Sequence, residues 1–348
     1  MAVQNYSSMD FRIGKLKGAI LAKAIPTEVL GITGQNEKMP KNNSDTVVFR
    51  RYIPTGGTDN KLITQANFAT FASDRQLQEG VTPNAKTLTK IDVQATLQQY
   101  GTLFSFTDKT IDLGEDNITD EMKSQVGEEI GAVREMIRYG ALRGATNVYY
   151  AGGSSRATVA KALTLNLLRR VTRNLKANHA KMPQKMLAPA LEYGTKAVEA
   201  SYLVFASTDM ESVIRNLAGF KNVVDYGQRK PISPFEIGSV ESFRFILSPE
   251  LQPYINAGAA IGATGLNSTG GSLIDVYPMI VVGEDAWGQV ALRGSESLDV
   301  TFIPAGQKDK TDPLGQRGYI GASTWMTALV LNQGWMALIE CGTDALPD

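Results

Sequence analysis

The chain has 348 residues, 43% of them hydrophobic, and its 35 Lys and Arg balance 35 Asp and Glu to give zero net charge. That composition supports a real buried core and argues against a free nucleic-acid binder, which normally carries a strongly basic face. A single cysteine, Cys341, and a single histidine, His179, exclude an intrachain disulfide framework, a multi-cysteine zinc site and the usual general base or metal cluster.

No run of about eighteen apolar residues is present, so no membrane-spanning helix is expected. The opening MAVQNYSSMDFRIGKLKGAI lacks a signal peptide's apolar stretch and cleavage site, which points to a protein made and kept in a cytoplasm. From Phe11 to Ile25, Ile13, Leu16, Ile20 and Leu21 fall near helical spacing, and Pro26 ends the pattern. Its lysines suit a membrane surface, but its shortness and its Gly14 and Gly18 favour an arm helix docking on protein. Gly31 to Asp45 reads as a turn-rich connector.

Two strand-like stretches follow, DTVVFRRYI from Asp45 and LTKIDVQATLQQYGTLFSFTD up to Asp108. In the second, Ile91, Val93, Ala95 and Leu97 alternate with Asp92, Gln94 and Thr96, the signature of a half-buried strand. The connection from Pro54 to Thr87 is far longer than the few residues that usually join strands. Such a ribbon has no core of its own, so it is either disordered or covered by another subunit.

The spacing predicts a helix from Asp120 to Leu142, N-capped by Thr119, with Met122, Val126, Ile130, Val133, Ile137 and Ala141 as its apolar stripe. At about 1.5 Å per residue it spans roughly 35 Å. Beyond Ala151 the pattern alternates. A helix is expected from Leu163 to Ala177, a strand from Tyr202 to Ser207, a helix from Thr208 to Ala218 ending at Gly219, and strands at Phe243 to Ser248 and Val276 to Gly283. The tail returns to β character in LDVTFIPAG, STWMTALVL and MALIEC, the last two joined at Asn332-Gln333-Gly334.

Charge is segregated. Between Asp108 and Glu129 eight acids face only Lys109 and Lys123, whereas Ala151 to Leu191 holds eight basic residues and no acid. The pattern fits two solvated faces, or complementary surfaces that pair between copies of the chain.

Candidate chemistry is sparse. GVTPNAKT (Gly80 to Thr87) narrowly misses the phosphate-loop pattern, with Ala85 in place of the second glycine and Pro83 removing a backbone donor. Asp112, Glu115 and Asp116 fail the calcium-loop spacing. The arginines of the helix near Leu163 could touch phosphates non-specifically, but no aromatic residues interleave to stack bases. His179 sits at a helix end and Cys341 in an apolar strand, each best explained structurally. No catalytic, cofactor-binding or metal-ligating set emerges, and the chain leans towards a scaffold and not an enzyme.

The blocks KMPKNNSDTVVFRRY, QEGVTPNAKTLT, LQQYG, VVDYG with PFEIGSVESFRFILSPE, and DPLGQRGYIGASTWMTALVLNQGWMALIE, in that order, resemble the capsid-protein family named after coliphage N-four. The similarity runs from about Lys38 to Glu340. The order of parts is similar to the α+β Hong Kong 97 fold of tailed-phage major capsid proteins. That resemblance implies an N-terminal arm over 1–44, a P-domain strand over 45–51, an E-loop over 52–91, a P-domain strand and spine helix over 92–150, an A-domain over 151–295 and a P-domain return over 296–348.

It also implies a non-enzymatic shell subunit, without cofactor, forming hexamers and pentamers of an icosahedral capsid around double-stranded DNA held non-specifically. The implied partners are further copies of itself, a portal and, because no long helical segment precedes the arm, a separate scaffolding protein; a decoration protein is an optional partner that the sequence leaves open, and no membrane is involved. Assembly is expected in a host bacterial cytoplasm, and the final location is the virion. Subunit-interface candidates are Lys61, Phe68, Phe71, Arg75 and Glu79 in the loop, Asp116 and Glu128 around the spine-helix entry, and Arg169, Arg170 and Arg173 in the first A-domain helix. Lys61, Lys86 and Lys90 lie where some members of the fold crosslink, but nothing identifies a partner, and no crosslink is expected. The alternatives are an encapsulin-like compartment of the same fold and a nucleotide-dependent enzyme acting through Gly80 to Thr87.

Overall fold

The computed structural model describes residues 28–40, 44–83, 85–113, 118–183, 200–226, 231–262, 264–292, 298–308, 310 and 312–346. The expected arm helix from Phe11 to Ile25, and the candidate Asp116, lie outside the described residues. In chain order the strands and helices are β1 Gln35–Met39, β2 Thr46–Ile53, β3 Thr89–Thr96, β4 Gln98–Thr107, α1 Asp108–Asp112, α2 Ile118–Arg143, β5 Val148–Tyr150, α3 Leu165–Ala177, β6 Tyr202–Ser207 and α4 Glu211–Arg215. There follow β7 Lys221–Asn222, β8 Glu236–Val240, β9 Phe243–Ser248, β10 Tyr277–Val282, β11 Trp287–Leu292, β12 Leu298–Ile303, β13 Arg317–Val330 and β14 Met336–Cys341.

Two compact units are present. The first comprises Met1–Asp45, Thr96–Ala141 and Gly288–Leu329. Its sheet runs β1-β11-β13-β12, with β4 also paired to β13. The β4–β13 ladder is antiparallel from Thr107↔Arg317 to Gln98↔Met326, and β1 joins β11 in parallel. Alternation along β4 turns Phe104 and Phe106 inward, where Phe106 packs with Ile320, Ala322 and the helical residues Ile118, Met122, Val126 and Ile130. Opposite Phe106 in the ladder stands Gly318, where any side chain would collide with the phenyl ring.

Helix α2 begins at Ile118, so Thr119 lies inside it and is not its N-cap. Its buried face also departs from the expected stripe. Met122, Val126 and Ile130 are buried, but further on the buried side chains are Glu135, Arg138, Tyr139 and Leu142, while Val133, Ile137 and Ala141 are only half-buried. The stripe turns because Glu135 and Arg138 find polar partners far away in sequence, which allows charge to be buried.

The second unit comprises Thr46–Ala95, Leu142–Trp287 and Val330–Asp348. Its sheet runs β5-β14-β10-β6-β9-β8-β7. The four strands β14, β10, β6 and β9 are buried along their whole length, as expected for continuous apolar runs covered on both faces. Helix α3 packs Leu167, Leu168, Val171 and Leu175 onto the core, with the Thr164 side chain accepting the Leu167 N–H as N-cap. The helix expected from Thr208 to Ala218 is shorter: a 3-10 turn at Thr208–Met210 leads into α4, which ends at Arg215.

Three segments differ from the expected partition. Strand β2, containing Asp45 to Arg51 except its first residue, pairs with β3 in a two-stranded ribbon and not with the larger sheet. The strand-like stretch read up to Asp108 divides at Leu97, which is buried and donates its N–H to the Asp45 carbonyl at 2.8 Å. Finally, β11 belongs to the five-stranded sheet although it precedes residue 296, and β14 belongs to the seven-stranded sheet although it follows.

Candidate functional site

The β2–β3 ribbon and its connection carry the clearest signature of a contact surface. No described residue from Thr46 to Thr96 is buried. The ladder itself is braced by Arg50 and Asp92, a paired contact with Nε–Oδ1 at 2.7 Å and Nη2–Oδ2 at 3.1 Å. The hydrogen bond from Arg50 holds the Asp92 carboxyl below the usual carboxylate range, against the opposing effect of desolvation. Residues 54–88 are neither a second core nor featureless. Asn67 ties one turn by accepting the Thr64 N–H at 2.7 Å and donating to the Gly56 carbonyl at 2.8 Å. Arg75 lies over the Phe71 ring, 3.5 Å from its centre, and donates to the Phe71 carbonyl at 2.7 Å.

These local bonds leave large apolar side chains in water: Tyr52, Ile63, Phe68, Leu77, Val81 and Leu88 are each more than half exposed, Leu88 at 74%. Covering one such side chain is worth about 1.5–3 kcal/mol. Their concentration on one excursion of the chain distinguishes it from scattered single surface apolar residues.

Of the loop candidates, Phe68, Arg75 and Glu79 are exposed, while Lys61 and Phe71 are half-buried, the latter under Arg75. Glu128 is exposed on α2. Arg169, Arg170 and Arg173 are brought together on the outer face of α3. They are not equivalent: Arg169 is bound to Glu241 of its own chain, Nη2–Oε1 2.6 Å, and Arg170 lies 5.2 Å from the centre of the Tyr149 ring. The described residues of Gly80 to Thr87 precede strand β3 and not a helix, so the near-match to a phosphate loop lacks its strand-to-helix setting.

Sequence reasoning missed the buried polar centres. Glu340 is fully buried in β14 and takes both Arg156 Nε at 2.9 Å and Nη2 at 2.6 Å, while the guanidinium lies 3.6 Å from the centre of the Tyr254 ring. Glu236 accepts the Tyr226 hydroxyl at 2.7 Å and the Ile232 N–H at 2.6 Å. Arg156 stands 184 residues from Glu340, and Tyr226 and Ile232 stand 10 and 4 residues from Glu236 with no regular spacing that announces the contact, although an acid inside an apolar strand such as MALIEC is itself a signal that a cation must cover it. Cys341 is fully buried, and burial pushes its thiol up to about 12, far from nucleophilic use. Among the described residues no group of three His, Cys, Asp or Glu is placed to hold a metal ion, and no helix is long and apolar enough to cross a membrane.

Residues 90–316 match the family model described as phage capsid protein. The chain is 22% identical over 343 residues to the major capsid protein of Pseudomonas phage KPP21, covering 87% of this chain and 85% of that one. Its fold is similar to the capsid of Ralstonia phage GP4, with a TM-score of 0.62 at 13% identity, covering 92% of this chain and 90% of the other. It is also similar to the head structure of Helicobacter pylori bacteriophage KHP40, with a TM-score of 0.60 at 10% identity over 98% and 97% of the two chains.

Proposed function

This chain belongs to the phage capsid protein family, with a Hong Kong 97-like fold, and we propose that its copies assemble as hexamers and pentamers into the icosahedral shell of a tailed phage. The observation that carries this reading is the ribbon. An excursion with no buried residue among those described from Thr46 to Thr96 and a string of exposed apolar side chains is stabilised by a neighbouring copy, whose surface removes them from water. Repetition around a closed shell lets each such contact stay modest.

In this reading residues 52–91 are the E-loop and lie over the next subunit, α2 is the spine helix, and the seven-stranded unit supplies the A-domain at the capsomer centre. Lys61, Phe68, Phe71, Arg75 and Glu79 contact the neighbour, and Arg170 and Arg173 of α3 meet acidic residues such as Asp116 and Glu128 of another copy. The shell encloses double-stranded DNA, grows from a portal with a separate scaffolding protein and forms in the host cytoplasm. The role is structural throughout, and the narrower kinship with the capsid proteins named after coliphage N-four rests on the sequence blocks alone.

Deleting residues 56–78 tests the reading. The variant is expected to keep the circular dichroism and unfolding transition of the parent and to fail to close shells by negative-stain microscopy. Closed shells from the deletion variant would overturn the role given to the ribbon.

A further inference from the structure

We infer that Asn60 and Asn332 form an intrachain clasp that aims the ribbon before it meets a neighbour. Beyond β2 the chain folds back on itself: Gly57 N–H donates to the Pro54 carbonyl at 3.1 Å, and Thr58 and Lys61 exchange backbone hydrogen bonds at 2.9 and 3.2 Å. The fold-back requires Gly57, where any side chain would strike the Lys61 carbonyl. It presents Asn60 to the turn between β13 and β14.

There the two amides bond reciprocally. Asn60 Nδ2 donates to Asn332 Oδ1 at 3.2 Å, and Asn332 Nδ2 donates to Asn60 Oδ1 at 2.7 Å. The remaining acceptor capacity is also used, since Asn332 Oδ1 takes the Gly334 N–H at 3.0 Å and Asn60 Oδ1 takes Arg51 Nη1 at 3.0 Å. Arg51 is part of β2, so the clasp grips the strand as well as the turn.

The holding side is firm. Asn332 is 3% exposed. The N–H groups of Leu331 and Asn332 both donate to the Ala286 carbonyl at 3.0 Å, Gln333 accepts the Thr146 N–H at 2.9 Å, and Trp335 Nε1 donates to the Asn178 carbonyl at 3.0 Å. Gly334 leaves the space that Asn60 fills, because a side chain there would collide with the Asn60 amide. The held side ends abruptly: among the described residues past Lys61 only local turns remain before β3, and Leu62, Ile63, Phe68 and Leu77 are exposed there. The ribbon therefore has a fixed root and an adaptable outer part. Fixing the root in advance lowers the ordering cost of docking, which is how preorganisation favours association.

The consequence for assembly rests on the shell reading above, whereas the clasp is a property of one chain. Hydrogen exchange of the full-length unassembled chain tests the clasp directly. In Asn60→Ala and Asn332→Ala the Thr58 and Lys61 amides are expected to exchange roughly 10- to 30-fold faster, with amides of β10 and β14 unchanged, and the double variant no faster than either single. Gly334→Ala, which keeps both amides but fills the gap, is expected to match them, and all four variants should close shells more slowly. Wild-type protection in the single variants, or additive loss in the double, would overturn the clasp. Lost protection with an unchanged assembly rate would overturn its aiming role, a result distinct from failure of the shell reading, in which the wild-type chain itself would form no shells.

Discussion

Glu135, fully buried in the middle of α2, accepts the backbone N–H of Leu30 at 2.9 Å. The same carboxylate oxygen takes the Val29 N–H at 3.0 Å. Beside it Arg138 donates from Nε to Gln289 at 2.7 Å and from Nη1 to Glu28 at 2.6 Å, and Gln289 donates in turn to Asn36. A buried carboxylate thus holds the main chain ahead of β1 and shares the site with a buried guanidinium.

Removing that carboxylate leaves two buried backbone donors without their acceptor and takes from the buried Arg138 guanidinium one of its two carboxylate neighbours, Glu28 remaining. Glu135→Ala is expected to cost about 3–5 kcal/mol in denaturant unfolding, and Glu135→Gln less, because its amide oxygen still accepts. Burial raises the Glu135 carboxyl above the ordinary glutamate value, with the Leu30 and Val29 N–H groups opposing the shift. A carboxyl with a raised folded pKa binds its proton more readily when folded, so its contribution falls as pH rises from the ordinary value through the raised one. The wild type should lose stability relative to Glu135→Gln across that window. A constant difference at every pH would contradict this assignment.

The Arg156–Glu340 pair makes a different demand. Because Glu340 is fully buried and Arg156 is 38% exposed, only the acid is stranded when the pair is broken. Arg156→Ala is expected to destabilise by about 2–4 kcal/mol, and Arg156→Lys by less but measurably, since an ammonium keeps the charge and loses the forked contact and the stacking on Tyr254. Thermal and denaturant unfolding of the two variants would measure the split.

The exposed apolar residues of the ribbon should separate folding from assembly. Phe68→Ser and Leu77→Ser remove side chains that are 61% and 73% exposed. Each is expected to shift subunit stability by less than about 0.5 kcal/mol and to lower shell yield, read by sedimentation and microscopy. Equal yields would show that these side chains meet nothing in the shell.

On α3 the three arginines should respond unequally to charge reversal. Arg169→Glu opposes Glu241 in its own chain and should cost the subunit roughly 0.2–1 kcal/mol. Arg170→Glu with Arg173→Glu should act chiefly on assembly yield and its salt tolerance. Unchanged assembly would mean that this face is merely solvated.

The central strands were legible because burial on both faces writes an uninterrupted apolar word: Tyr202 to Ser207, Phe243 to Ser248 and Met336 to Cys341 begin and end as read. The exposed ribbon was legible for the opposite reason, since its residues offered nothing to pack. What escaped were decisions made by distant partners. The alternation through Leu97 is unbroken, so only the pairing with Asp45 divides it. Glu135 and Arg138 fall off the apolar stripe read for α2, and the partners that bury them are 105 and 151 residues away. Arg169 likewise read as free for another subunit, its own partner being 72 residues distant.

Cys341 has a practical corollary. With its sole thiol sealed in β14 and held protonated, the native chain presents no competing sulfur to a maleimide. A cysteine introduced at an exposed ribbon position such as Ser73 would then carry the label alone. Dyes placed there, one per subunit, could report the approach of neighbouring ribbons by energy transfer while particles form.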